Sequence, residues 1–170
     1  MDMNKICIIF AGCVGSSKTP ISNYLSPKLE LPIFNNDAIR SEVIEDKWFL
    51  DHEEHLTRRD ARIEEILESW ISFIADVSAD RVRGTLREKL SFSGYRRFVI
   101  SMDLTKELLI QLYQAKWYSE SLQSIDRFLE DHAAFLAKYS NDVWVHITDD
   151  EFHQRLEIAY TETKKWIASV

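Results

Sequence analysis

Near the start of the chain an unbroken apolar run, Lys5-Ile6-Cys7-Ile8-Ile9-Phe10, passes through Ala11 into Gly12-Cys13-Val14-Gly15-Ser16-Ser17-Lys18-Thr19, and from there into Pro20 to Leu25, whose spacing is helical. A short β-branched run without polar alternation reads as a strand covered on both faces, the signature of a parallel sheet. The residues after it are small, and Gly12 and Gly15 permit a main-chain curl that bulkier residues resist. Pro20 fits only in the first turn of a helix, so the helix must begin within a residue or two of the loop. Strand, tight loop and helix in immediate succession commit the rest of the chain to an α/β arrangement around them.

The eight residues Gly12 to Thr19 match the pattern G-x-x-x-x-G-K-[ST] except that Ser17 stands at the second glycine. A bound polyphosphate needs several N–H donors converging on it, a helix N-terminus for the dipole, an ammonium for the outer phosphates and a hydroxyl for Mg²⁺. Gly12, Gly15, Lys18 and Thr19 supply these, with Cys13, Val14, Ser16 and Ser17 completing the cradle. The competing reading is a glycine-serine turn carrying a solvent lysine by chance. A side chain at position 17 either crowds the loop or adds a donor beside the phosphates, and both readings stay open at this stage.

Leu31 to Asn35 is a second strand candidate, followed by a helix opening at Asp37. From Ile63 the apolar residues Ile66, Leu67, Trp70, Phe73, Ile74 and Val77 recur every three or four positions, which predicts one long amphipathic helix. A polar segment over 79–90 also reads as helix. Phe98 to Met102 is a third strand with Asp103 at its end, and Leu104 to Leu112 and Leu122 to Tyr139 are helices. Val143 to Ile147 is a fourth strand, after which Thr148 and Glu151 have capping-box spacing for a final helix through Trp166. Strands alternating with helices imply βαβ units and ligand binding beyond the carboxyl ends of the strands. The expectation is a helix-rich three-layer sandwich with an abbreviated sheet of four strands, in a single domain over 1–170 with a helical substrate or lid region at about 46–92.

At 170 residues, 45% of them apolar, the chain has enough material for one buried core. The net charge of -7 repels phosphate backbones and anionic membranes at long range, so long nucleic acids are unexpected partners. No apolar run approaches the ~18 residues of a membrane span. Phe10-Ala11-Gly12-Cys13 resembles a lipoprotein signal, but its apolar segment is shorter than the ~7 to 15 residues such signals use and Asp2 spoils the basic leader. Cys7 and Cys13 read as small core residues rather than a disulfide framework. The expected location is the cytoplasm.

Gly12 to Thr19 taken with Asp37-Ala38-Ile39-Arg40 resembles the small P-loop kinases grouped around polynucleotide 5'-kinase, zeta-toxin-like kinases and chloramphenicol phosphotransferase; the similarity covers mainly the first 45 residues. It implies a P-loop NTPase fold of nucleoside-kinase type, with ATP and Mg²⁺ as cofactors and a hydroxyl-bearing small molecule or nucleotide as acceptor. By this resemblance Asp37 is the base, Arg40 the acceptor-phosphate or transition-state ligand, Thr19 a Mg²⁺ ligand, Asp103 a residue near Mg²⁺ or the acceptor, and Arg155 a lid arginine for the triphosphate. Each has a plainer reading: Asp37 as a helix cap paired with Arg40, worth well under ~1 kcal/mol, Asp103 as another cap, Arg155 as a solvated side chain. A chain that binds nucleotide without turnover is the alternative function.

Two basic clusters, Arg58-Arg59-Arg62 and Arg81-Arg83-Arg87, either line an acceptor pocket or lie on charged helix faces balanced by nearby glutamates. His52-Glu53-Glu54-His55 lacks the spacing of a zinc-protease helix. His132 sits on an apolar stripe, as packed histidines do.

Overall fold

The computed structural model describes residues 5–79 and 85–169. The first strand, β1 (Ile6–Ala11), runs straight into the glycine loop and then α1 (Lys18–Leu29). α1 continues past Ser26-Pro27, although a proline often marks a helix stop. Pro27 lies in its last turn, and the helix ends two residues later at Leu29, capped by Glu30, whose backbone is left-handed. β2 (Ile33–Asn35) leads into α2 (Asn36–Lys47), whose cap is Asn35: its side chain accepts from the Asp37 and Ala38 amides at 2.9 and 3.1 Å.

The long helix expected from Ile63 to Val77 is a helix followed by a strand. α3 (His52–Ser69) stops at Trp70, which takes a left-handed conformation with φ 56°, and β3 (Phe73–Ser78) follows after two residues. The apolar spacing continues across this break, and Trp70 does what a glycine usually does at a helix end. A doubly covered strand and a buried helix edge share the same residue types over six positions, so periodicity alone does not separate them here. The region 46–92 therefore contains a central strand.

The remaining elements are α4 (Thr85–Phe92), β4 (Arg96–Met102), α5 (Lys106–Ala115), α6 (Ser119–Gln123), α7 (Ile125–Tyr139), β5 (Val143–Ile147) and α8 (Arg155–Ser169). Of the helix expected over 79–90, residues 80–84, and with them Arg81 and Arg83, lie outside the described residues. The capping box forms as expected between Thr148 and Glu151, over a short 3-10 segment that precedes α8.

The sheet has five parallel strands in the order β2-β3-β1-β4-β5, so it is not abbreviated; the strand that the spacing did not anticipate is β3. β1 lies at its centre, with Ile8 opposite Ile74 on one side and Phe98 on the other. Alternate side chains build two cores. Ile8, Phe10, Ile100 and Ile147 pack against α1, α5 and α8, while Cys7, Ile9, Ala75 and Val99 pack against α2, α3 and α4. The result is a three-layer α/β sandwich. No helix among the described residues is long and apolar enough to cross a membrane.

Ile74 is fully buried and Ile71 is 41% exposed. Replacing Ile74 with Ala should cost about 3 kcal/mol in urea unfolding, whereas Ile71→Ala should cost under about 0.5 kcal/mol. Similar losses at both positions would contradict a strand beginning at Phe73.

Candidate active site

The loop after β1 curls through three left-handed or near-left-handed residues, Gly12 (φ 131°), Gly15 (φ 68°) and Ser17 (φ 81°). A methyl group on Gly12 would fall 2.9 Å from Met102 Cβ, and one on Gly15 would fall 2.9 Å from the Tyr113 ring. The curl is thus wedged between β4 and α5, and glycine is needed at both points for space as well as for torsion. The Ser17 torsion costs about 1–3 kcal/mol in a residue with a side chain. Lys18 opens α1 and folds over the loop, donating to the carbonyls of Gly12 at 2.8 Å and Cys13 and to Ser16 Oγ at 3.3 Å. Ser78, at the end of β3, donates to the Gly12 carbonyl at 2.9 Å and ties the loop to the neighbouring strand.

Two further cations reach the loop. Lys116, just past α5, donates to the Gly15 carbonyl at 2.7 Å, while Tyr113 donates to the Val14 carbonyl at 2.6 Å. Arg155, the first residue of α8, donates through Nε to Ser17 Oγ at 2.7 Å and through Nη1 to the Phe152 carbonyl at 2.9 Å. Burial, and then the Arg155 charge, push the Lys116 pKa down; burial does the same to Arg155. Neither has a carboxylate partner among the described residues. Three cations held by carbonyls and hydroxyls around one curl of main chain form a site whose electrostatics an anion would relieve. Ser17 does not crowd the loop. Its side chain turns to Arg155 and makes no cap to α1.

The loop forms one wall of a cleft of about 370 Å³. Opposite it stand Phe34, Asn36, Asp37, Arg59, Ile63 and Leu86, with Asp76 at the base beside Thr19. Burial raises the Asp76 pKa; the Thr19 and Ser22 hydroxyls and the Lys18 charge work against that rise, and Asp37 adds to it. Because Asn35 caps α2, the Asp37 carboxylate has no hydrogen-bond partner among the described residues, nor does it pair with Arg40. It is exposed on the cleft wall.

Of the expected site residues, the structure brings Lys18, Thr19, Asp37 and Arg155 together around the loop. Arg40 is exposed on α2 and does not line the cleft. Arg59 does line it, while its neighbours in the basic cluster turn elsewhere: Arg58 to Asp46 and Glu54, Arg62 to Glu42. Asp103 does not line the cleft either. Its carboxylate takes hydrogen bonds from Ser101 and from His132 at 2.9 Å, with His146 on its second oxygen. The carboxylate beside Thr19 is Asp76, which the reading of 63–77 as helix concealed; an acidic residue inside a short buried strand that ends next to the loop was the available signal.

Among the described residues no group of histidine, cysteine, aspartate and glutamate side chains forms a metal centre. A hydroxyl and one half-buried carboxylate, with room for phosphate oxygens and water, still suit Mg²⁺, a hard ion that takes few protein ligands. Burial, which raises the Asp76 pKa, is a cost that a bound cation would offset.

No protein-family model and no curated protein matches the sequence. Solved structures do match in fold. A gluconokinase from Sinorhizobium meliloti is 14% identical with a TM-score of 0.62, covering 99% of this chain and 97% of that one. A shikimate kinase from Bacteroides thetaiotaomicron is 12% identical with a TM-score of 0.60, covering 96% and 98%. A protein of the PezAT toxin-antitoxin system of Streptococcus pneumoniae is 16% identical with a TM-score of 0.61, covering 86% and 68%. At these identities the likeness concerns the fold. It joins this chain to P-loop kinase architectures broadly rather than to the narrower group that its first 45 residues resemble.

Two pH effects follow. Burial raises the Asp103 pKa but the hydrogen bonds from His132, Ser101 and His146 outweigh it and hold the group at about 2, against an ordinary 3.8. A depressed carboxylate stabilises the fold above its unfolded value and loses that contribution as the pH falls toward its folded value. Asp103→Asn should therefore lower stability near neutral pH, with the gap to the parent protein closing between about pH 4 and about pH 2 in denaturant titrations. Asp76 has the opposite shift, so protons should compete with Mg²⁺ at a higher pH than an ordinary aspartate allows. Mg²⁺-dependent nucleotide binding followed by calorimetry should weaken on mild acidification, and Asp76→Asn should remove that dependence along with the Mg²⁺ requirement.

Proposed function

We propose that the chain is an ATP-dependent kinase that moves the γ-phosphoryl group onto a hydroxyl of a small-molecule or nucleotide-like acceptor. The observation that carries this reading is the opposition, across one cleft, of a loop that gathers three cations and the Asp37 carboxylate, which has no hydrogen-bond partner among the described residues. Phosphoryl transfer asks a protein for positioning and charge neutralisation, plus one carboxylate near the attacking oxygen.

In this reading the loop amides and Lys18 hold the β- and γ-phosphates, and Lys116 and Arg155 offset charge on the phosphate chain. Thr19 and Asp76 would hold Mg²⁺, which when bound neutralises charge between the β- and γ-phosphates. Asp37 accepts the proton of the acceptor hydroxyl as that oxygen bonds to phosphorus and the γ-phosphorus bond to the ADP oxygen breaks. Arg59, on the same wall, takes the acceptor-orienting role that the resemblance gave to Arg40. Among the described residues its guanidinium is held only by the adjacent Asp60, at 2.8 and 3.0 Å. Phe34, Ile63 and Leu86 give the acceptor side an apolar lining that excludes water.

Lys18→Ala should lower Mg-ATP affinity at least tenfold by calorimetry. Asp37→Asn should leave that affinity within about twofold while cutting labelled-phosphate transfer about 10²-fold or more in a screen of hydroxyl acceptors. Tight binding lost in Lys18→Ala, with no acceptor phosphorylated by the parent protein, would instead identify a nucleotide-binding protein without turnover. No nucleotide binding at all would end both readings.

A further inference from the structure

Ser17 is the one position at which the loop departs from its pattern, and it is also the position that Arg155 touches. The serine is 4% exposed and left-handed, a posture that glycine adopts without penalty. Its hydroxyl gives nothing to the helix it precedes. The Arg155 guanidinium is fixed at three points: Nε on Ser17 Oγ at 2.7 Å, Nη1 on the Phe152 carbonyl at 2.9 Å, and its carbon 4.3 Å above the Phe152 ring. Two of these belong to the turn before α8 itself, and only the serine joins the arginine to the loop.

From this geometry we propose that Ser17 is a positioning residue for phosphate binding, pinning Arg155 beside the loop. The inference rests on the nucleotide-binding reading above. The serine holds Nε and the Phe152 carbonyl holds Nη1, so guanidinium hydrogens remain beside the loop. Among the described residues the acceptors of Arg155 are neutral, and Lys116 sits close enough for the two charges to oppose each other. An arginine held in this way is poised for an anion delivered between them. A glycine would relax the loop but leave α8 unattached to it, so the side chain at 17 exchanges loop comfort for a fixed cation.

The test is calorimetric titration of the full chain with Mg-ATP and Mg-ADP, for the parent protein, Ser17→Gly, Ser17→Ala, Arg155→Ala and the Ser17→Gly/Arg155→Ala pair, with thermal midpoints measured alongside. Ser17→Gly and Ser17→Ala should each weaken ATP binding about tenfold, and the double variant should be no weaker than Arg155→Ala by more than about twofold. The thermal midpoint of Ser17→Gly should stand at or above that of the parent, which separates lost binding from lost folding. Unchanged affinity in Ser17→Gly, or losses that multiply in the double variant, would overturn the proposal while leaving the nucleotide reading in place. A parent protein that binds neither nucleotide would overturn both.

Discussion

The packing of the β1–α1 loop between β4 and α5 is the constraint on which the rest of the site depends. Gly12 lies against Met102 and Gly15 against Tyr113 with no room for a methyl group, so the curl cannot open without moving a central strand or a core helix. Both neighbours are buried, and both belong to the same apolar cluster as Ile8 and Phe10. The amides that would face a phosphate are therefore held by the hydrophobic core. This arrangement keeps a polar, strained segment ordered: its torsional cost of about 1–3 kcal/mol at Ser17 is small beside what several fully buried side chains contribute, at about 1.5–3 kcal/mol each.

The charges follow from that rigidity. Lys18, Lys116 and Arg155 come from three different helices and meet at one loop, where carbonyls and hydroxyls receive them. Elsewhere the basic residues of α3 are matched by carboxylates, as in Arg58 with Asp46 and Glu54, and Arg62 with Glu42. A chain of net charge -7 thus gathers three cations at one loop.

Much of this was legible in the residues. The loop, β1, β5, the capping box at Thr148 and the strand-helix alternation follow from local rules of torsion, periodicity and capping. Asp37 was legible as a candidate, but its release from capping depends on Asn35 taking that duty. The strand at Phe73 was hidden because the helix ahead of it ends on a tryptophan in a conformation that sequence associates with glycine, with no proline or glycine to mark the stop. Losing that strand also hid Asp76 and made the sheet look one strand short. Lys116 lay far from the loop in sequence, and only the path of α5 across the sheet brings it back. Asp103 was read from its place at a strand end, yet its two histidine partners come from α7 and β5, a convergence that linear spacing does not carry.

The two faces of the sheet divide the cleft's residues between them. Thr19, Lys116 and Tyr118 reach the cleft from the α1 and α5 side, with Arg155 of α8 behind Ser17, while Asp37, Arg59, Ile63 and Leu86 come from α2, α3 and α4 on the other. Only β1 and β3 are common to both, through the loop and Asp76. Such a partition makes the architecture modular: the side chains that α2, α3 and α4 contribute can be replaced by drift or by design while the loop and its cations keep their geometry.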